Sequence, residues 1–323
     1  MKSHRILTLA ALISTAALTL TACGGGASSS SSGGSAGSQL KIGVVVRTMS
    51  NPVWQAVASG AEDQAKKAGN VTVKTVGADS ESDVTGQINK VQDLISSGVN
   101  ALIVAPNGGP QLKPILEQAA AKGVKIVIID NDIPDLKGKV SYVGTNQPEN
   151  AAAVNKEIIT SLGAEAKGAE VGILDYPGNT VVQARVDAAK KTFEDAGLNV
   201  VSVLPGKCDR ATAQNSATDM ITAHPNIKAI FGSCGQGATG AAQAAQNAGK
   251  KILVTGFDGT NDEFRTIKAG NELATILQDF KGTGAQAMTA AIDSASGKSV
   301  QSNYDVPATL ITKDNVDKFQ PAG

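Results

Sequence analysis

Two short stretches hold the residues best suited to chemistry. Residues 125–132, KIVIIDND, read as a buried strand that ends in Asp130. Residues 251–261, KILVTGFDGTN, read as a second strand, Ile252–Phe257, that ends in Asp258 inside a turn. Each follows a helix-like run that closes on a glycine, Gly123 before the first and Gly249 before the second. A carboxylate at a strand end can accept hydrogen bonds from hydroxyls, or it can act as a general acid or base. Because the pattern occurs twice, the chain is expected to hold two copies of one α/β unit. The two acids would then face each other across a cleft.

The rest of the chain favours binding over catalysis. It has two histidines, His4 and His224. His4 lies in the N-terminal segment and His224 in a helix-to-strand turn, Ala223-His224-Pro225-Asn226, where it is expected to face solvent. A site with two or more His/Cys metal ligands could be assembled only from Cys208, Cys234 and His224, and there is no G-x-S-x-G elbow or Ser/His/Asp set. No metal site, cofactor or enzymatic activity is expected. Gly235-Gln236-Gly237-Ala238-Thr239-Gly240 matches the dinucleotide fingerprint between a strand and a helix, with Asp258 beyond it. We set that match aside. Its counterpart in the first half, Asn107-Gly108-Gly109-Pro110, lacks the pattern, and an exported protein is not supplied with nicotinamide cofactors. Gly237 and Gly240 are better suited to close packing of a helix on a sheet.

The elements that position these residues alternate from Lys41 onward. The continuous apolar run Ile42–Val46 marks a strand covered on both faces. Val53, Val57, Ala61 and Ala65 then recur at helical spacing up to Gly69. Later strands are read at 71–76, 101–104, 126–129 and 140–143. The series restarts at 171–174 and continues through 200–204, 228–231, Ile252–Phe257 and 273–277. Helices are read between them, among them Leu112–Lys122 after a turn at Pro106–Pro110, Thr239–Ala248 and Gly282–Ser296. A last strand, Val306–Ile311, contains Pro307 and reads as an edge or a crossover. Alternating units of this kind imply parallel sheets with helices on both faces, and ligands bound beyond the carboxyl ends of the strands.

The chain has 323 residues, enough for two domains once the N-terminal segment is set aside. Lysines plus arginines equal aspartates plus glutamates at 29 each, and the basic residues are spread out, so no nucleic-acid partner is expected. Lys2, His4 and Arg5 precede an apolar run, Ile6–Leu20, too short for a membrane span. The run closes as Leu20-Thr21-Ala22-Cys23. Residues 1–22 therefore read as an export signal and 23–39 as a Gly/Ser-rich tether. Two cysteines remain after cleavage, Cys208 and Cys234. Their even number allows one bridge in an oxidising compartment, while two isolated buried thiols would serve as small hydrophobes.

The mature chain resembles the type I periplasmic binding proteins of ABC sugar importers, most closely the ribose-binding group. The matching stretches are Asn51-Pro52, Asp130, Arg185, Asp209-Arg210, Ala223-His224-Pro225, Val254–Thr260 and Leu273–Gln278. The segment ending in Cys23 resembles a lipoprotein signal in which that cysteine carries the lipid; ordinary signal cleavage is the alternative. The resemblance implies two similar Rossmann-like α/β lobes with parallel sheets, joined by a three-crossover hinge around a ligand cleft. The lobes would be 40–145 with 279–306, and 146–278 with 307–323. It also implies that Asn51, Asp130, Arg185, Asp258 and Gln278 hydrogen-bond ligand hydroxyls, with Arg47 and Trp54 within reach and Asn131 and Cys234 at ligand-contacting positions. As caps and turn residues, Asn51 and Asp258 would serve equally well.

Several positions depart from the family pattern. Val53 and Cys208 stand where relatives carry clamping aromatics, Asn131 replaces an arginine, and Cys234-Gly235 replaces an Asn/Asp pair. Cys208 and Cys234 thus both fall at ligand-contacting positions, which makes them candidates for a disulfide. With fewer aromatic faces, a small acyclic polyol and a small monosaccharide are equally plausible ligands. The resemblance implies a monomer on the outer face of the cell membrane that delivers its ligand to an ABC permease. The alternative is a sensor that presents a sugar or furanosyl signal to a membrane receptor.

Overall fold

Apolar runs form the middle of two six-stranded sheets in a computed structural model that describes residues 39–322. The export signal, Cys23 and nearly all of the tether lie outside the described residues. In the first lobe the chain runs β1 (Leu40–Thr48), α1 (Pro52–Ala68), β2 (Val71–Ala78), α2 (Val84–Ser96), β3 (Ala101–Val104), α3 (Gly109–Ala121), β4 (Lys125–Ile129) and β5 (Lys139–Gly144). It then crosses and repeats the pattern. The second lobe holds α4 (Gln147–Leu162), β6 (Glu170–Asp175), α5 (Thr180–Asp195), β7 (Asn199–Pro205), α6 (Arg210–Ala223) and β8 (Ala229–Gly232). It continues with α7 (Gly235–Asn247), β9 (Leu253–Thr255), α8 (Asn261–Lys268) and β10 (Ala274–Gln278). The chain returns to the first lobe for α9 (Phe280–Ala295) and β11 (Asn303–Asp305), then crosses again to β12 (Ala308–Thr312).

The strand orders show the duplication. One sheet is β11-β5-β4-β3-β1-β2 and the other β12-β10-β9-β8-β6-β7. The first is parallel throughout, and in the second β12 alone runs antiparallel, against β10. In each sheet the order reverses beside the lobe's first strand, which opens a crevice at the strands' carboxyl ends. Both sheets are covered on both faces, so their central strands can be apolar without alternation. One face of the first sheet packs on α1 and α9 through Val57, Ala61, Ala287 and Met288, and the other on α2 and α3 through Leu94, Leu112 and Leu116. In the second sheet Phe193, Phe231 and Phe257 fill the face under α4 and α5.

Helix α9 follows the second lobe in sequence but packs on the first. Its backbone lies so close to α1 that a side chain at Gly60 would collide with the Lys281 carbonyl, and one at Gly284 with the Val57 carbonyl. Only glycine permits that approach.

Four differences from the expected boundaries have a physical reason that can be read from the structure. The last strand, expected at Val306–Ile311, is two strands in different sheets, with Pro307 in the crossover between them. A proline has no N–H for a ladder and suits such a link. Helix α3 starts at Gly109, inside the expected turn, because Pro110 fits a first helical turn. Strand β9 is shorter than Ile252–Phe257, although the Gly256 and Asp258 amides still bond to the Ala274 and Ile276 carbonyls. Helix α7 starts at Gly235, so the whole glycine motif is helical. A Cβ at Gly240 would lie 2.7 Å from the Arg210 carbonyl and 2.9 Å from Ala213 Cβ. Gly240 therefore seats α7 on α6, not on the sheet as expected.

Candidate functional site

Asp130 and Asp258 follow equivalent strands, β4 and β9, and both have left-handed backbone, with φ of 61° and 112°. A non-glycine residue there costs roughly 1–3 kcal/mol and persists only where its surroundings dictate it. Here they do. The Asp130 amide donates to the Val143 carbonyl at 3.1 Å and the Tyr142 hydroxyl donates to the Asp130 carbonyl at 2.8 Å. The Asp258 amide donates to the Ile276 carbonyl at 2.9 Å, and the Gln278 amide to the Asp258 carbonyl at 3.3 Å. The strain turns each carboxylate off its strand end into the cleft.

Each acid meets an arginine, and each arginine covers an aromatic ring. In the first lobe Arg47, at the end of β1, donates to Asp130 at 2.8 Å, and its guanidinium carbon lies 5.1 Å from the Trp54 ring centre. In the second lobe Arg185, on α5, donates to Asp258 at 3.3 Å and to the Ser233 carbonyl at 2.9 Å, with its guanidinium carbon 3.9 Å from the Phe257 ring centre. Asp258 also accepts from Gln278 Nε2 at 2.9 Å and from the Gly235 amide at 3.1 Å. Gln147, just past the first crossover, accepts from Arg185 Nε at 2.8 Å. Burial pushes the Asp258 carboxyl up, opposed by Arg185 and the Gly235 amide. Burial likewise lowers Arg185, opposed chiefly by Asp258 and then Asp130. The two pairs thus sense each other across the cleft.

The cleft encloses about 550 Å³ of empty space, part of it open to solvent. Arg47, Asn51, Trp54, Asp130, Arg185, Cys234, Asp258 and Gln278 all line it. Asn131 does not: it is buried and accepts from the Thr180 hydroxyl of the other lobe, so it bridges the lobes directly. Asn51 serves as the cap that its sequence context suggested, accepting from the Val53 amide at 3.1 Å, while its Nδ2 donates to Glu81 at 2.8 Å. Trp54 is almost wholly buried, and its indole N–H also goes to Glu81, at 2.8 Å. Asp258 caps no helix; Thr260 caps α8. The Cys208 and Cys234 sulfurs are paired, with Cα atoms 5.6 Å apart, and both residues line the cleft. Lys207 and Cys208 are both left-handed, with φ of 53° and 50°.

Sequence reasoning missed Glu81. It lies in the Asp/Ser loop between β2 and α2, where nothing in the residue types separates it from solvent-facing neighbours. Among the described residues, no group of three or more His, Cys, Asp or Glu side chains could hold a metal ion, and no helix is long and apolar enough to cross a membrane.

Two strained acids, each paired with an arginine, line a cleft between two lobes that is suited to a small polar molecule. A model of the periplasmic binding protein domain matches residues 42–299, and the chain belongs to that family. It is 34% identical over 275 residues to the D-allose-binding periplasmic protein of Escherichia coli, covering 82% of this chain and 88% of that protein. It is 32% identical over 298 residues to the ribose import binding protein RbsB of Bacillus subtilis, covering 91% and 95%. Among solved structures, an ABC transporter periplasmic solute binding protein from Actinobacillus succinogenes with bound D-allose superposes with a TM-score of 0.80 at 26% identity, covering 87% of this chain and 100% of that one.

Proposed function

We propose that this protein is the substrate-binding component of an ABC importer, taking a small neutral sugar or sugar alcohol into the cleft and delivering it to the permease. The observation that carries this reading is the pair of facing Arg–Asp units. Carboxylates accept hydrogen bonds from hydroxyls and guanidiniums donate to them, so a polyhydroxylated ligand can be held from both lobes at once. The Arg47 Nε–H is buried without a hydrogen-bond partner, which leaves a further donor beside the cleft. The Arg47 guanidinium over Trp54, the aromatic ring that lines the cleft beside Phe280, occupies a ring face that would otherwise stack on a sugar, which favours recognition by hydroxyls over ring clamping. The ligands in the relatives' names, D-allose and ribose, are both small neutral polyhydroxylated molecules.

In this reading the protein is exported, anchored to the outer face of the membrane through lipidated Cys23, monomeric, and bridged between Cys208 and Cys234. Residues 40–145 with 279–306 move against 146–278 with 307–323, and ligand binding favours the closed form that the permease recognises. A thermal-shift screen of pentoses, hexoses, tetritols and pentitols tests it. A true ligand at about 100 times its Kd adds about 2.7 kcal/mol and a clear rise in Tm. No shift with any neutral sugar or polyol, alongside one with another chemical class, would overturn the reading.

A further inference from the structure

Glu81 enters the cleft from the loop between β2 and α2. Its Oε1 accepts from Asn51 Nδ2 and Trp54 Nε1, both at 2.8 Å. Its Oε2 lies 3.7 Å from Arg47 Nη1, too far for a hydrogen bond. Asn51 and Trp54, two residues expected to meet the ligand, therefore grip Glu81 by one oxygen, and the other, ion-paired with Arg47 at 3.7 Å, keeps its hydrogen-bonding capacity for a ligand. The grip is firm because a buried indole N–H needs an acceptor and Glu81 supplies it. The carboxylate is 25% exposed and lines the cavity.

Charge balance assigns the same role. The ionisable side chains lining the cleft are Arg47, Glu81, Asp130, Arg185 and Asp258. Arg185 is paired with Asp258, and Arg47 makes its short contact, 2.8 Å, with Asp130. Glu81 shares Arg47 with Asp130 at the longer ion-pair distance, 3.7 Å, so three acids face two arginines and the lining carries one excess negative charge.

We propose that Glu81 is a specificity residue. Its Oε2 accepts a hydrogen bond from a ligand hydroxyl, and the excess negative charge it gives the lining excludes anionic analogues such as aldonates and sugar phosphates. This inference rests on the reading of the cleft as a site for a neutral sugar or polyol.

The test is calorimetric titration of the wild type, Glu81→Gln and Glu81→Ala. Each is titrated with the tightest binder among erythritol, ribitol, xylitol, D-ribose and D-allose, and with the matching aldonate. Both variants are expected to bind the neutral ligand about tenfold more weakly or worse. The wild type should prefer the neutral ligand over its aldonate by about a hundredfold, and Glu81→Gln should narrow that preference by about tenfold. Glu81→Gln nearly preserves shape, so it separates loss of charge from any disturbance around Trp54 in the alanine variant. Neutral-ligand affinity within about twofold of wild type in Glu81→Gln, with the preference over the aldonate unchanged, would overturn the role of Glu81 and leave the reading of the cleft standing. If the wild type binds no neutral compound of the panel, or prefers the aldonate, that reading fails and the inference with it.

Discussion

Asp258 is the residue whose removal should be felt most. In Asp258→Ala, the Arg185 guanidinium remains 4% exposed without its carboxylate, and the Gln278 side chain and the Gly235 amide lose an acceptor. Breaking a buried pair by removing one partner costs roughly 3–5 kcal/mol. Two terms offset this: burial already disfavours the Asp258 charge, and the Ser233 carbonyl and Gln147 still accept from Arg185. The lower end, about 3 kcal/mol of stability, is therefore expected. Ligand affinity should fall separately, because a hydrogen bond to a charged acceptor is worth about 1.5–3 kcal/mol, or about 10- to 150-fold in Kd. The backbone offers an internal control. At φ 112° an alanine is strained and a glycine is not, so Asp258→Gly should be more stable than Asp258→Ala, the reverse of the usual order. Urea unfolding measures the stabilities, and calorimetry on a ligand found by the screen measures the affinities. A stability loss under about 0.5 kcal/mol with unchanged Kd would refute the role assigned to the Arg185–Asp258 pair. A glycine variant less stable than the alanine variant would refute the strain.

Two further outcomes are expected. Burial, and after it the charge of Asp258, push the Glu263 carboxyl up from 4.5 to about 8, against hydrogen bonds from Thr275 and Thr260. The native state then keeps a proton that the unfolded chain releases near 4.5, so this contribution to stability is complete below that pH and is lost as pH rises through about 8. The urea midpoint should accordingly fall between pH 5 and 8; buried Glu272, also pushed up by burial and by Glu263, adds to the decline, so Glu263→Gln should reduce its slope, and an unchanged slope in the variant would refute the assignment. Reduction of the Cys208–Cys234 pair, 26 residues apart in sequence, should lower stability by about 3.5 kcal/mol in the chain-entropy account. It should also weaken ligand binding, because Cys234 precedes the Gly235 amide that holds Asp258. Two alkylatable thiols in native, unreduced protein would show that the bridge is not formed.

Much of this molecule can be read from local patterns. Strand-after-helix alternation, with continuous apolar runs, requires parallel sheets buried on both faces, and the restart near residue 171 requires two similar units. Asp130 and Asp258 could be found because the same strand-and-turn pattern precedes each. Asn51 could be read as a cap from Pro52 alone. Two of the boundary errors came where glycine or proline was read as part of a turn before a helix. Gly109-Pro110 and Gly235 instead begin helices, since a first helical turn tolerates both residues.

Residues adjacent along the chain are enough to specify the repeated α/β unit, the apolar strands and the two acids at their ends. The tertiary structure alone decided who meets whom across the fold. It placed α9 against α1 and split the last strand between two sheets. It laid Arg47 over Trp54 and Arg185 over Phe257, gave Asn131 to the opposite lobe, and brought Glu81 into the cleft. In all but one the physical reason is the same. Apart from Arg47 over Trp54, these are contacts between segments distant in sequence, set by how closely two backbones approach and by which buried donors still need an acceptor, and no periodicity or turn signal encodes either.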